Sequence, residues 1–159
     1  MSRIAKLISG GQTGADRAAL DVAIFLDIPH GGWCPKGRRA EDGPIADRYR
    51  LTETESARYF TRTVMNIREA DATVVLSLCP MSQLPPRGGS ALTIRLAEDA
   101  STLWAHFDLT EAGPFMIHQF RAWLAEGQVG TLNVAGPRES TAPGMYAAVR
   151  AFLLRTLPE

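Results

Sequence analysis

The sequence has few cysteines and no excess of charge of either sign, and these shortages exclude several classes of protein. Two cysteines, Cys34 and Cys79, occur in 159 residues, too few for a disulfide framework and without the spaced companions of a zinc site. Lysine plus arginine (17) equals aspartate plus glutamate (17), so bulk charge does not hold the chain on nucleic acid or an anionic membrane. We therefore expect two reduced thiols and no nucleic-acid partner.

Long apolar runs and clustered histidines are also missing. No run approaches the roughly 20 residues that span a bilayer, and the opening MSRIAKLISGG reaches its glycines before the apolar region of a signal peptide would fit. His30, His106 and His118 show no metal-ligand spacing. The sequence therefore predicts a cytoplasmic protein with no membrane segment and no metal site.

Apolar residues make up 45% of the chain, enough for the core of one domain that spans residues 1–159. Apolar runs suited to buried strands alternate with stretches of helical periodicity. Strands are predicted at residues 4–8, 72–78, 102–107 and 131–135, and helices at residues 15–26, 57–67, 90–100, 114–126 and 145–153. Residues 28–53 are expected to be irregular, with at most a short strand near 29–33. This order predicts an α/β fold with a doubly wound, mainly parallel sheet and helices on both faces.

Three glycine-rich turns follow predicted strands. They are SGGQTGAD after the first strand, PRGGSALT after the strand at 72–78, and AGPRESTAPG after the last strand. Turns at the carboxyl ends of parallel strands meet in one crevice even when they are far apart in sequence. Glycine allows close backbone approach, and the free N–H groups of a following helix attract anions. The three turns therefore predict a crevice for a negatively charged ligand.

Two common phosphate-binding motifs do not fit the first turn. The spacing of Gly10, Gly11 and Gly14 differs from the dinucleotide pattern GxGxxG, and no Gly-Lys-Ser/Thr ends the loop. A nicotinamide enzyme or a P-loop ATPase is therefore not expected. Thr13 and Asp16 fit a capping box at the start of the helix, whereas the carboxamide of Gln12 is better suited to binding a heterocycle or ribose.

A basic loop, HGGWCPKGRRAEDGPI at residues 30–45, has two readings. Its cations can bind phosphate or another oxyanion while Trp33 stacks on a ring, or the loop can be a solvated surface. Glu41 and Asp42 are likewise either a general acid/base pair or partners of neighbouring arginines.

The segments SGGQTGADRAALD, PHGGWCPKGRRAEDGPI, GGSALT and NVAGPRES, with the PG that follows, resemble in the same order the motifs of the molybdenum carrier family. The match extends over essentially the whole chain. That family is similar to Rossmann-like nucleotide-binding proteins, which include cytokinin-activating phosphoribohydrolases and lysine-decarboxylase-like proteins. The resemblance implies a Rossmann-like fold, a homo-oligomer (dimer or tetramer) and a small phosphorylated ligand. That ligand is the molybdenum cofactor (molybdopterin), a pterin with a phosphate tail, or a similar nucleotide-like heterocycle.

The resemblance also assigns residues to the walls of the ligand pocket. The first wall comprises Gly11, Gln12, Thr13, Gly14, Asp16 and Arg17, and a basic lip comprises Lys36, Arg38 and Arg39. The second turn contributes Gly88, Gly89 and Ser90, and the third contributes Gly136, Pro137, Arg138, Glu139 and Ser140.

These features favour a non-catalytic binding protein over two alternatives. One alternative is a phosphoribohydrolase that cleaves the bond between base and ribose phosphate, with Glu41, Asp42 or Glu139 as acid or base. Its PGGxGT turn and following glutamate are poorly matched by RGGSALTIRLAED. The other alternative is a nucleotide-sensing module, which is compatible with the same fold.

Overall fold

The alternating apolar runs and amphipathic stretches form the strands and helices of the structure, a computed structural model that describes residues 3–157. The strands are β1 (Lys6–Ile8), β2 (His30–Gly31), β3 (Trp33–Cys34), β4 (Thr52–Glu53), β5 (Ala72–Ser77), β6 (Leu103–Asp108) and β7 (Thr131–Ala135). The helices are α1 (Ala15–Phe25), α2 (Tyr59–Glu69), α3 (Gly89–Asp99), α4 (Pro114–Glu126) and α5 (Met145–Thr156). Residues 1–2 and 158–159 of the expected domain lie outside the described residues.

The main sheet contains five parallel strands in the order β2-β1-β7-β5-β6. The last strand of the chain, β7, lies at the centre between β1 and β5. If the strands of this sheet are counted from β7, the order becomes 3-2-1-4-5, which is that of a Rossmann sheet. The fold is therefore a Rossmann-like arrangement in which the strand that normally comes first is the last in the sequence.

Helices cover both faces of this sheet. Val74 and Leu76 of β5 belong to the large core under α1, α4 and α5. Val75, which points to the opposite face because side chains alternate along a strand, packs with Ile94 of α3, and α2 packs against α3. The predicted mainly parallel sheet with helices on both faces is confirmed.

The segment at residues 28–53 is more ordered than its composition indicates. β2 joins the main sheet, and β3 pairs with β4 in a separate two-stranded parallel sheet. Gly32, with φ of 125°, separates β2 from β3, and a Cβ there would lie 2.2 Å from the carbonyl oxygen of Ser9. The predicted short strand is thus present as two pieces, because the chain bends where only glycine fits.

A small core of its own stabilises this segment. Its buried members are Leu20, Cys34, Ala40, Ile45 and Tyr49.

Cys34 and Cys79 are both free thiols. In residues 3–157, no helix is long and apolar enough to cross a bilayer. Within the same range, no group of three His, Cys, Asp or Glu side chains is arranged to hold a metal ion.

Candidate functional site

A cavity of about 470 Å³ opens at the carboxyl ends of β1 and β7, between α2 and α3. Residues from all three glycine-rich turns line it, together with side chains from α1, α2 and α3. The turns meet because β7 lies between β1 and β5, so the turn after β7 is flanked by the other two. The strand order reverses beside β7, and ligands of open α/β sheets bind at such a switch point.

The N-terminus of α3 opens into this cavity. Gly88 is the N-cap residue, and no side chain of the described range 3–157 caps the helix. Gly88, Gly89 and Ser90 line the cavity wall. The first N–H groups of a helix have no partner within it and carry the positive end of the helix dipole. This end of α3 is therefore suited to an anion.

The other two turns precede helices whose N-termini already have protein partners. The carboxylate of Glu139 accepts the backbone N–H groups of Gly144 at 2.8 Å and Tyr146 at 3.0 Å at the start of α5. At α1, the N–H of Ala15 donates to the carbonyl of Pro137 at 3.3 Å. Glu139 is thus a helix-capping residue and does not line the cavity. Among the three turns, the second leaves its helix end most open to a ligand.

Gln12 places a buried donor without a partner on the cavity wall. The residue is 5% exposed and lines the cavity. Its Oε1 accepts the backbone N–H groups of Thr13 at 3.0 Å and Glu41 at 2.9 Å. Its Nε2 has no hydrogen-bond partner among residues 3–157. A buried amide donor of this kind is costly unless an acceptor is supplied, so Nε2 is suited to a ligand acceptor.

Asp16 and Arg62 form an ion pair on the same wall. Nη1 of Arg62 lies 3.1 Å from Oδ2 of Asp16, and their side chains are 12% and 8% exposed. Burial raises the pKa of Asp16, and the charge of Arg62 opposes that rise. Gly10 makes the pair possible, because a Cβ there would lie 1.8 Å from Nη1 of Arg62. Asp16 supplies the one carboxyl that lines the cavity in the described range 3–157.

The predicted capping box at Thr13 and Asp16 is wrong. The N-cap of α1 is Gly14, and no side chain in the described part of the chain caps this helix. Oγ1 of Thr13 instead accepts the N–H of Glu139 at 3.1 Å, because the third turn packs directly on the first. Asp16 does reach back, but to the N–H of Gln12 at 3.3 Å.

Gly14 is needed for this packing of one turn on another. Its φ is 77°, and a Cβ at Gly14 would lie 2.4 Å from the carbonyl oxygen of Pro137 and 2.8 Å from the nitrogen of Glu139. Both atoms belong to backbone, which cannot rotate away. Gly14 therefore serves the contact between turns.

Glu41 joins the basic loop to the first and third turns. Its carboxylate accepts hydrogen bonds from the Thr13 hydroxyl, from the Ser140 hydroxyl at 2.5 Å and from the Ser140 N–H at 3.2 Å. These bonds, from Ser140 first and then Thr13, lower the pKa of Glu41. A carboxylate bound in this way positions loops, and Glu41 does not line the cavity.

Asp42, the second carboxylate of the proposed pair, binds Arg17. The two guanidinium contacts are 2.9 and 3.1 Å, and they lower the pKa of Asp42. Arg17 also donates to the carbonyl of Gly11 at 3.0 Å. Asp42 therefore matches the reading of the adjacent carboxylates as partners of arginines, whereas Glu41 is held mainly by Thr13 and Ser140.

The structure does not bring most of the basic loop to the cavity. Arg38 donates to the carbonyl oxygens of Ile45 at 2.8 Å and Tyr49 at 2.7 Å, as well as to those of Ala46 and Leu51. Lys36 is exposed, and Trp33 Nε1 donates to Glu69 at 2.5 Å. None of these three cavity candidates lines the wall.

Arg39 lies nearer to the cavity than the rest of the predicted lip. Its guanidinium is 4.6 Å from the ring centroid of Tyr59, and Tyr59 is a lining residue. Of the other predicted site residues, those that line the cavity are Gln12, Asp16, Gly88, Gly89, Ser90, Gly136, Pro137 and Arg138. Those that do not line it are Gly11, Thr13, Gly14, Arg17, Glu139 and Ser140.

Helix α2 supplies five cavity residues that sequence reasoning missed. They are Tyr59, Phe60, Arg62, Thr63 and Asn66, and Arg87 of the second turn was missed as well. A signal was present, because Tyr59, Arg62, Thr63 and Asn66 are spaced as one face of a helix. That polar face lies beside the apolar stripe from which the helix was predicted.

The fold and the cavity define a Rossmann-like ligand-binding protein whose candidate site lies at the carboxyl edge of the sheet. The model of the circularly permuted YpsA SLOG family matches residues 7–157, and the chain belongs to this family. The name agrees with the strand order, in which the last strand takes the first position.

A solved structure from Syntrophus aciditrophicus, named "Putative molybdenum carrier protein", is 40% identical to this chain. The match covers 99% of this chain and 97% of that one, with a TM-score of 0.92. The resemblance found from the sequence motifs is therefore confirmed. No curated protein is significantly similar to the chain.

Proposed function

We propose that this protein binds and carries a small phosphorylated heterocycle, with the molybdenum cofactor as the ligand. One observation carries the proposal: within residues 3–157 the buried Nε2 donor of Gln12 has no acceptor, and it lines the same cavity as the N-terminus of α3, which no side chain of that range caps. The helix end suits a phosphate, and the amide suits a ring acceptor. The name of the solved relative supports a molybdenum-containing ligand.

The walls of the cavity fit such a molecule. Phe60 and Leu92 provide apolar surface, and Arg87 and Arg138 add positive charge. A volume of about 470 Å³ lies within the usual range for small-molecule sites. In this proposal, Gly89 and Ser90 hold the phosphate and Gln12 orients the heterocycle.

Binding is favoured over hydrolysis because of where the carboxylates lie. Glu41, Asp42 and Glu139, the candidates for a phosphoribohydrolase, are engaged with Ser140, Arg17 and the N-terminus of α5. A hydrolase at this site would depend on Asp16, whose carboxylate is held by Arg62.

Gly89→Asp tests the proposal. A Cβ at Gly89 meets no atom within 4 Å, and a negative charge in the first turn of a helix favours folding. The variant should keep or raise its melting temperature while losing most of its affinity for molybdopterin and for nucleoside monophosphates, measured by calorimetric titration.

Gly113→Asp is the matched control. Gly113 is the N-cap of α4, a Cβ there also meets nothing within 4 Å, and the residue does not line the cavity. Its ligand affinity should equal that of the wild type. Unchanged binding by Gly89→Asp would show that the ligand does not lie at α3.

A further inference from the structure

A second positive region lies at the rim of the cavity, around the ring of Tyr59. The guanidinium carbons of Arg39, Arg62 and Arg138 lie 4.6, 5.3 and 5.2 Å from the centroid of this ring. Tyr59, Arg62 and Arg138 line the cavity. Three cations from the basic loop, α2 and the third turn therefore converge on one aromatic side chain.

The three arginines differ in how closely a carboxylate pairs with each of them. Arg62 is paired with Asp16 at 3.1 Å. Arg138 reaches Glu41 only at 3.9 Å, and that carboxylate is bound by Ser140 and Thr13. Such a long contact provides weak compensation.

Arg39 has no carboxylate partner within 4.0 Å in the described part of the chain. It is exposed, and its Nη1 donates to the carbonyl of Ala57 at 3.1 Å. The ring of Tyr59 holds a guanidinium less strongly than an anion would. Arg39 and Arg138 thus retain most of their capacity to bind an anion.

We propose that Arg39 and Arg138, held against Tyr59, form a second anion site for a group on the same ligand whose phosphate lies at α3. This inference rests on the proposed function and narrows it. The ligand class becomes a heterocycle with two anionic groups, of which the second is an oxyanion. That oxyanion is a further phosphate, as in a nucleoside diphosphate, or a metal oxyanion carried by the ligand.

Calorimetric titration with AMP and ADP tests the second site. Wild-type protein should bind ADP about tenfold or more tightly than AMP, because a charge-assisted contact is added. Arg39→Gln should remove this advantage without changing the affinity for AMP. Tyr59→Phe should keep the advantage because it retains the ring, whereas Tyr59→Leu should lose it.

Arg48→Gln provides the matched control. Arg48 lies 4.6 Å from the ring of Tyr49, the same distance as Arg39 from Tyr59, but Tyr49, unlike Tyr59, does not line the cavity. This variant should retain the full preference for ADP. Melting temperatures of all variants report whether each one folds.

Titration of molybdate into AMP-saturated protein distinguishes the two sources of the oxyanion. Molybdate binding that Arg39→Gln abolishes would assign the second site to a metal oxyanion. The inference is overturned if the wild type shows neither a preference for ADP nor molybdate binding that depends on Arg39. If AMP fails to bind while pyrophosphate binds in an Arg39-dependent way, the proposed function fails and the second anion site stands.

Discussion

Nη1 of Arg62 lies 3.1 Å from Oδ2 of Asp16, and this pair joins α2 to the start of α1 on the cavity wall. Both side chains are largely shielded from water. Because burial opposes ionisation of Asp16, the guanidinium is the main group that favours the carboxylate form at this position. Stability and the charge of the cavity are therefore coupled through one contact.

Arg62→Met should destabilise the protein by about 3–5 kcal/mol at neutral pH, because it leaves a buried carboxylate without its cation. When the pKa of a carboxyl is higher in the folded state than in the unfolded state, the protein loses stability as pH rises above the unfolded pKa, which is near 3.8 for Asp16. The loss should therefore be larger at neutral pH than at acid pH, where Asp16 is protonated in both proteins, as measured by urea denaturation. Adding Asp16→Asn to Arg62→Met should recover much of the lost stability. A loss that does not depend on pH would contradict the coupling between Arg62 and the charge of Asp16.

Glu41→Gln should change how the free energy of unfolding depends on pH under acid conditions. The hydrogen bonds from Ser140 and Thr13 lower the folded-state pKa of Glu41 below 4.5, so their contribution is complete above 4.5 and is lost as pH falls through the folded pKa. At pH 7 the variant should lose about 1–2 kcal/mol of unfolding free energy. Near pH 3 the two proteins should have similar melting temperatures. A constant difference across this pH range would exclude the role assigned to the carboxylate.

Comparison of Gly14→Ala with Gly37→Ala separates two costs of adding a Cβ, which are the clash with neighbouring atoms and the unfavourable backbone conformation. The two glycines have φ of 77° and 81°, but a Cβ at Gly14 meets backbone of the third turn, whereas one at Gly37 meets nothing within 4 Å. Gly37→Ala should cost about 1–2 kcal/mol for the left-handed conformation. Gly14→Ala should cost clearly more in chemical denaturation. Equal losses would show that the turns can separate without penalty.

Arg38→Ala should destabilise the basic loop by more than about 2 kcal/mol, because charged hydrogen bonds to several carbonyl groups are lost together. Limited proteolysis should then cut within residues 36–50 faster than in the wild type. Lys36→Ala, at an exposed position of the same loop, should stay within about 0.5 kcal/mol of the wild type. If Arg38→Ala reduces ligand affinity without changing stability, Arg38 belongs to recognition.

Much of the fold was predictable because its signals are local. The apolar run at Ala72–Ser77 is buried throughout, and the helix at Pro114–Glu126 has the predicted bounds. The position of β7 was not predictable in this way, because neighbouring strands in a parallel sheet need not be neighbours in sequence. Counting strands along the chain places β7 last, whereas packing places it at the centre.

The candidate site likewise has features that could be predicted from the sequence and features that could not. Glycine turns and the amide of Gln12 were recognisable because backbone freedom and donor chemistry belong to single residues. The role of Thr13 was not recognisable, because its partner Glu139 lies 126 residues away. The cavity role of Arg62 also depends on Asp16, 46 residues away.

By itself, the sequence determined four strands of the main sheet, the helices, the three turns and the family, since periodicity, glycine content and motif order are written along the chain. The tertiary structure decided which polar groups satisfy one another and which remain available to a ligand. Glu139, Arg17 and Arg38 found partners within the protein, whereas Nε2 of Gln12 found none among the residues that the structure describes. The reason is that a hydrogen bond forms only where packing brings donor and acceptor within about 3 Å, and that packing is a property of the whole folded chain.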